Sequence, residues 1–167
     1  PLWRRTVCET IGPWLPLRCL EDWEHDLRDG MLGIRCVHVP HASAIVRDNG
    51  LKRASGMTSG FTVSMLQDMV TAHSAVWSRM RVLGLSDWRY LELFSRKVFW
   101  LVRLCGAHGL DREAREALSI ALEMRVGHGV GALRSFSFMV EMVGWPATVL
   151  WSERAYRWMR QWMDRDG

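Results

Sequence analysis

Lysine is almost missing from this chain: of its 22 basic residues only Lys52 and Lys97 are lysines. The formal charge is only +4, too small an excess for the dense basic patch that holds nucleic acid, so no nucleic-acid partner is expected. Arginine carries the remaining positive charge. Its planar fork suits phosphate and carboxylate, although an arginine-rich composition is as readily the mark of a GC-rich genome. Cys8, Cys19, Cys36 and Cys105 include no closely spaced pair. A zinc ribbon or redox pair would need two-residue spacing, so they read as small, reduced apolar side chains of a cytosolic protein. No apolar run approaches the roughly 18 to 20 residues that span a bilayer. No leader precedes the first helix-like segment, and the chain opens on Pro1, which points to an N-terminal portion beyond it. No repeat period is evident, and no Ser or Cys has a His partner at hand, which leaves a nucleophilic hydrolase without support.

What is present is a chain of 167 residues, 49% of them hydrophobic, enough for one domain or a fragment of a larger one with a real core. Leu2 to Ile11 reads as a short helix closed by Gly12-Pro13, and Trp14 to Arg18 as an extended loop. Glu21 to Leu32 reads as a helix with Gly33 as its natural C-terminal cap. Ile34 to Val39 alternates apolar and polar residues and reads as a half-buried strand ended by Pro40, with a second short extended piece over Ala42 to Val46. Arg47 to Gly60 reads as a loop. From Phe61 onward the pattern is helical throughout. Val63, Leu66, Val70, His73, Trp77 and Met80 share one face, and Gly84 ends that helix. Leu91, Phe94, Val98, Leu101 and Cys105 mark the next, over Asp87 to Ala107. Ala114, Leu118, Ala121 and Leu122 mark a third, with Asp111 as its N-cap. A fourth, near Leu133 to Val143, is separated by Gly144-Trp145-Pro146 from a fifth, over Ala147 to Met163. Short connections imply antiparallel neighbours. The expected fold is mainly α with a short β segment.

The stretch from Leu20 to Gly33 holds the densest chemistry. Asp22, Asp26 and Asp29 fall at i, i+4 and i+7 on one helical face, and Trp23, Leu27 and Met31 on another that can anchor the helix to a core. Adjacent residues on a helix do not face each other, so Glu21 and Asp22 have different tasks. The dipole favours the ionised form of a carboxylate in the first turn, which suits a general base, though acids there are also ordinary dipole partners.

The company this helix keeps adds to its own spacing. Arg4-Arg5, Ile11-Gly12-Pro13-Trp14, Leu20-Glu21-Asp22-Trp23-Glu24, Leu27-Arg28, Gly33, Val37-His38-Val39-Pro40 and Arg47 follow in an order that resembles the C-terminal, acceptor-side half of a family-2 glycosyltransferase catalytic domain, over about residues 2 to 55. The resemblance implies the end of a GT-A α/β domain over 1–60, followed by a helical extension over 61–167, an antiparallel bundle of about five helices. It implies an inverting enzyme that moves a sugar from a nucleotide-sugar donor to a hydroxyl acceptor, with Asp22 as general base and Glu21 orienting it. Trp23 would shape the acceptor pocket and Arg47 would contact the diphosphate. A divalent metal, Mn or Mg, would be held mainly by an N-terminal half absent from these residues, so the chain alone is expected to be inactive. Two departures stand beside the likeness. The position two after Arg47, often histidine in that family, is Asn49, with His38 and His41 offset from it. The family's Asp-x-Asp motif is missing where it belongs, since Asp164-Arg165-Asp166 lies in the C-terminal tail.

A reading from another class makes the chain a non-enzymatic helical interaction module, with Glu21 to Asp29 a charged surface helix and residues 61 to 163 a groove for a partner. The last helix adds a stripe of Trp151, Ala155, Trp158 and Trp162 beside Arg154, Arg157 and Arg160, which suits either docking on the chain's own helices or peripheral contact with an anionic membrane. The expected compartment is the cytoplasm, at or away from the membrane surface.

Overall fold

A computed structural model describes residues 3–35, 37, 60–85, 88–124 and 130–163. The chain divides into two compact units, Pro1–Ser86 and Asp87–Gly167.

In the first unit, α1 (Arg5–Ile11) stops where Gly12 takes φ 85° and Pro13 follows, a conformation glycine reaches without strain. An extended segment and a bend lead into α2 (Glu21–Met31). Gly33, at φ 68°, ends this helix as its place in the sequence predicts, with its N–H bonded to the Gly30 carbonyl at 3.1 Å. α3 (Val63–Val82) opens on Thr62, whose hydroxyl accepts from the Met65 N–H at 3.2 Å, a cap worth roughly 1 kcal/mol. Leu66, Val70, His73 and Trp77 are buried on the face their spacing marks out, while Val63 at its start is exposed. α2 packs on both α1 and α3. The helix expected to begin the extension shares a compact unit with α2, and the boundary between the two units falls between 86 and 87.

In the second unit, α4 (Trp88–Ala107) and α5 (Asp111–Met124) form a hairpin across residues 108–110, with Gly109 at φ 69°. Of the faces read from the sequence, Leu91, Val98, Leu101 and Cys105 of α4 and Ala114, Leu118 and Ala121 of α5 are buried, while Phe94 and Leu122 are half-buried. The small residues of α5 let the helices approach closely, and the buried Ser95 hydroxyl donates to the Ala121 carbonyl at 3.2 Å. α6 (Val130–Met163) is broken at Gly144, where φ 79° and ψ 169° are non-helical. That break coincides with the Gly-Trp-Pro interruption. Its two limbs, with α3, α4 and α5, account for the five helical stretches expected from residue 61 onward. Phe136 meets Phe99 edge to face at 5.0 Å, and Trp145 and Val149 close over Gly106.

The described residues are mainly helical and contain no strand. Of the strand expected over 34–39, Ile34, Arg35 and Val37 are described and lie outside any strand, and the other three fall outside the described residues. Alternation of polarity marks a face, but a strand also needs a neighbour to complete its hydrogen bonds, which alternation cannot supply. The extended piece expected over 42–46 also lies outside the described residues.

Candidate functional site: the two faces of the second helix

α2 starts under strain. Leu20, its N-cap, sits in the left-handed region at φ 62° and ψ 13°, and no side chain caps the helix. A non-glycine residue there costs on the order of 1 kcal/mol, so its surroundings must hold it. Two contacts from α3 do so. The Arg18 N–H donates to Asp68 Oδ2 at 2.8 Å, and the Cys19 thiol donates to the Met65 carbonyl at 3.5 Å. The turn is thereby tied to α3 on the residues just before Leu20. Glu21, Asp22 and Glu24 in the first turn and Arg28 in the last complement the helix dipole.

One face of the helix is polar and buried. Glu24, His25, Arg28 and Asp29 are all buried. Arg28 is the hub. Its Nε lies 2.9 Å from Glu24 Oε1, and its two terminal nitrogens donate to the carbonyls of Ile11 at 2.9 Å and Pro13 at 2.8 Å. The guanidinium thus ties α2 to the end of α1 and to the segment after it. His25 is stacked on Trp14, with centroids 4.3 Å apart and planes 11° from parallel, and meets the edge of Trp3 at 5.7 Å. Satisfaction on this face is incomplete: Glu24 Oε2 and His25 Nδ1 have no hydrogen-bond partner among the described residues. The short Arg28 Nε–Glu24 approach is a charge pairing without hydrogen-bond alignment, and the aligned bonds of that guanidinium go to the two carbonyls.

The other face is open. Asp22 is exposed, with Oδ1 accepting the Trp23 N–H at 2.7 Å, and Asp26 is exposed one turn on. Glu21 is half-buried. Trp23 is half-buried too, its ring 4.8 Å from that of His73 on α3 and inclined by 34°. His73 Nδ1 lies 2.7 Å from the Met69 carbonyl, which can only accept, so that nitrogen carries a proton. Asp22, Glu21 and Trp23 are therefore consecutive on the first turn, with Asp22 turned to solvent and Trp23 turned to α3. Arg47 lies outside the described residues, as do His38, His41 and Asn49.

Two expectations about this helix are corrected. The Asp22, Asp26, Asp29 row is not a uniform face, since Asp29 is buried while the other two are exposed. The Trp23, Leu27, Met31 row is only half-buried, and the deeper anchor is the polar Glu24, His25, Arg28 row. The pairing of Glu24 with Arg28 was not among the sequence expectations, although their i, i+4 spacing is a signal that allows it. The burial of the pair carries no such signal, because it depends on two carbonyls far upstream in sequence. Among the described residues, no group of three or more histidine, cysteine, aspartate or glutamate side chains is placed to hold a metal ion.

No known protein family, curated protein or solved structure matches this chain.

Proposed function

We propose that these residues form the acceptor side of an inverting glycosyltransferase with a GT-A catalytic domain, and that Asp22 is its general base. The observation that carries the reading is the exposed Asp22 carboxylate on the first turn of a helix whose opposite face is bound by Arg28 to two upstream carbonyls. A base needs a lone pair open to substrate and a backbone that holds it still, and Asp22 combines both. In the reaction the acceptor hydroxyl loses its proton to Asp22 as its oxygen bonds to the anomeric carbon. The bond from that carbon to the nucleotide diphosphate breaks on the opposite side, and the configuration inverts. Glu21, which cannot share Asp22's direction, supports the turn. Trp23, held against His73, offers a ring edge to the acceptor. Arg47 is the proposed diphosphate contact.

The described residues form no metal-binding cluster. We place the divalent cation of the reaction, like the nucleotide pocket, outside the described residues. The 167 residues alone are then expected to show no specific affinity for UDP or GDP sugars with manganese, by calorimetric titration. In the intact parent, Asp22→Asn is expected to lower transfer by about 10² to 10⁴, the usual contribution of a general base, with donor affinity unchanged. Undiminished transfer by that variant would remove Asp22 from the mechanism. The second reading, a helical interaction module, draws on Tyr90 and Leu93 of α4 and Phe138 and Met142 of α6, which are all more than 60% exposed. It would take the place of the first if the intact parent transferred no sugar at all.

A further inference from the structure

We infer that the second limb of α6 is a membrane-surface helix that takes an anionic lipid bilayer as its partner. The limb begins well packed: Trp145, Thr148 and Val149 are buried, and a Cβ on Gly106 would come within 2.9 Å of Trp145 and 3.1 Å of Val149. Gly106 is the penultimate residue of α4, so this contact lies at that helix's C-terminal end. After Val149, none of Leu150, Trp151, Ser152, Arg154 and Ala155 is buried, and the helix runs on to Met163. Leu150 and Trp151 are each 47% exposed, and Arg154 and Ala155 are exposed after them.

The composition of this limb decides the partner. A helix that leaves its core for water should become polar, whereas in sequence this one repeats tryptophan at 151, 158 and 162, spacings of one helical face. Arginine at 154, 157 and 160 accompanies them, with Glu153 the one acid between Ala147 and Met163. Tryptophan with arginine is the composition of a helix lying in a headgroup region, where the indole sits at the boundary and the guanidinium meets lipid phosphate. The net positive charge complements an anionic surface. No helix among the described residues is long and apolar enough to cross a membrane, so the helix is placed along the surface. Under the proposed glycosyl transfer this would bring the enzyme to a lipid-borne acceptor, but the inference stands on the second unit alone.

The test is co-sedimentation of the 167-residue chain with vesicles of pure phosphatidylcholine and of phosphatidylcholine with 30% phosphatidylglycerol. Binding to the anionic vesicles, weakened by added salt, is expected. Reversal of Arg154 and Arg157 together (R154E/R157E) should cut partitioning at least tenfold, since each basic residue near such a surface contributes roughly fivefold. Trp151→Ser should weaken it with unchanged helical circular dichroism, which separates a contact role from a folding one. Equal binding to both vesicle types, no binding at millimolar lipid, or undiminished binding by R154E/R157E would each overturn the inference. So would a dimer in light scattering that Trp151→Ser dissolves while lipid binding stays absent, which would assign the limb to a second copy. None of these outcomes depends on sugar transfer.

Discussion

Replacing Arg28 with alanine should unfold the first unit far more readily than any surface charge change would. The side chains of Arg28 and Glu24 are only 7% and 3% exposed. Removing one member of such a pair leaves the other charge buried without compensation, a loss of about 3 to 5 kcal/mol. The carbonyls add to this unequally. Pro13 is exposed, so water can replace the lost donor, whereas Ile11 is buried and its carbonyl would be left unsatisfied. The effects share one guanidinium and do not add fully, so the expected loss is about 4 kcal/mol, a large share of a domain's roughly 5 to 15 kcal/mol. Urea denaturation followed by circular dichroism measures it, and hydrogen exchange over residues 21–31 locates it. The double variant Glu24→Leu/Arg28→Met separates pairing from packing. It removes both charges and keeps apolar volume, so it should lose only about 1 to 3 kcal/mol, chiefly from the Ile11 carbonyl. A loss below about 1 kcal/mol for Arg28→Ala, or a double variant less stable than the single, would refute the reasoning.

Two further outcomes concern the second unit and the cysteines. Gly106→Ala places a methyl within 2.9 Å of the Trp145 ring and should destabilise the second unit by about 1 to 3 kcal/mol, read as a lower urea midpoint; an unchanged midpoint would mean that the α4–α6 contact is looser than described. Burial, with Glu113 adding to it, pushes the Cys105 thiol from 9.0 up to about 12. Its folded-state value lies above its unfolded one, so the stability it contributes is fully present below pH 9.0 and is lost as pH rises toward about 12. Alkylation mapped by mass spectrometry at pH 8 should accordingly label the exposed Cys8 and spare the buried Cys105 until urea is added, and early labelling of Cys105 would contradict its burial.

Much of the helical layout was legible in the residues alone, and the reason is local. Gly12-Pro13, Gly33, Gly84, Gly109 and Gly144 stop helices because positive φ or a missing N–H acts where it stands. The apolar faces of α3, α4 and α5 follow from a period that one helix carries by itself. Asp22, Glu21 and Trp23 were legible as neighbours on a first turn, and the structure adds which way two of them turn.

What tertiary structure decided is which side of α2 faces inward. Periodicity sorts residues by polarity, so it assigned Trp23, Leu27 and Met31 to the core and left the charges outside. A buried arginine obeys a different rule: it goes inside where acceptors wait for it. The Ile11 and Pro13 carbonyls are such acceptors, and they stand 17 and 15 residues upstream of Arg28. The left-handed Leu20 was beyond reach for the same reason, because its φ of 62° is held by Asp68 and Met65 on another helix. The sequence by itself determined where the helices break and end, since those signals act within a turn. Only the folded chain decided that one side of the charged helix is an internal tie and the other, with Asp22, an open surface, since that choice depends on partners distant in sequence.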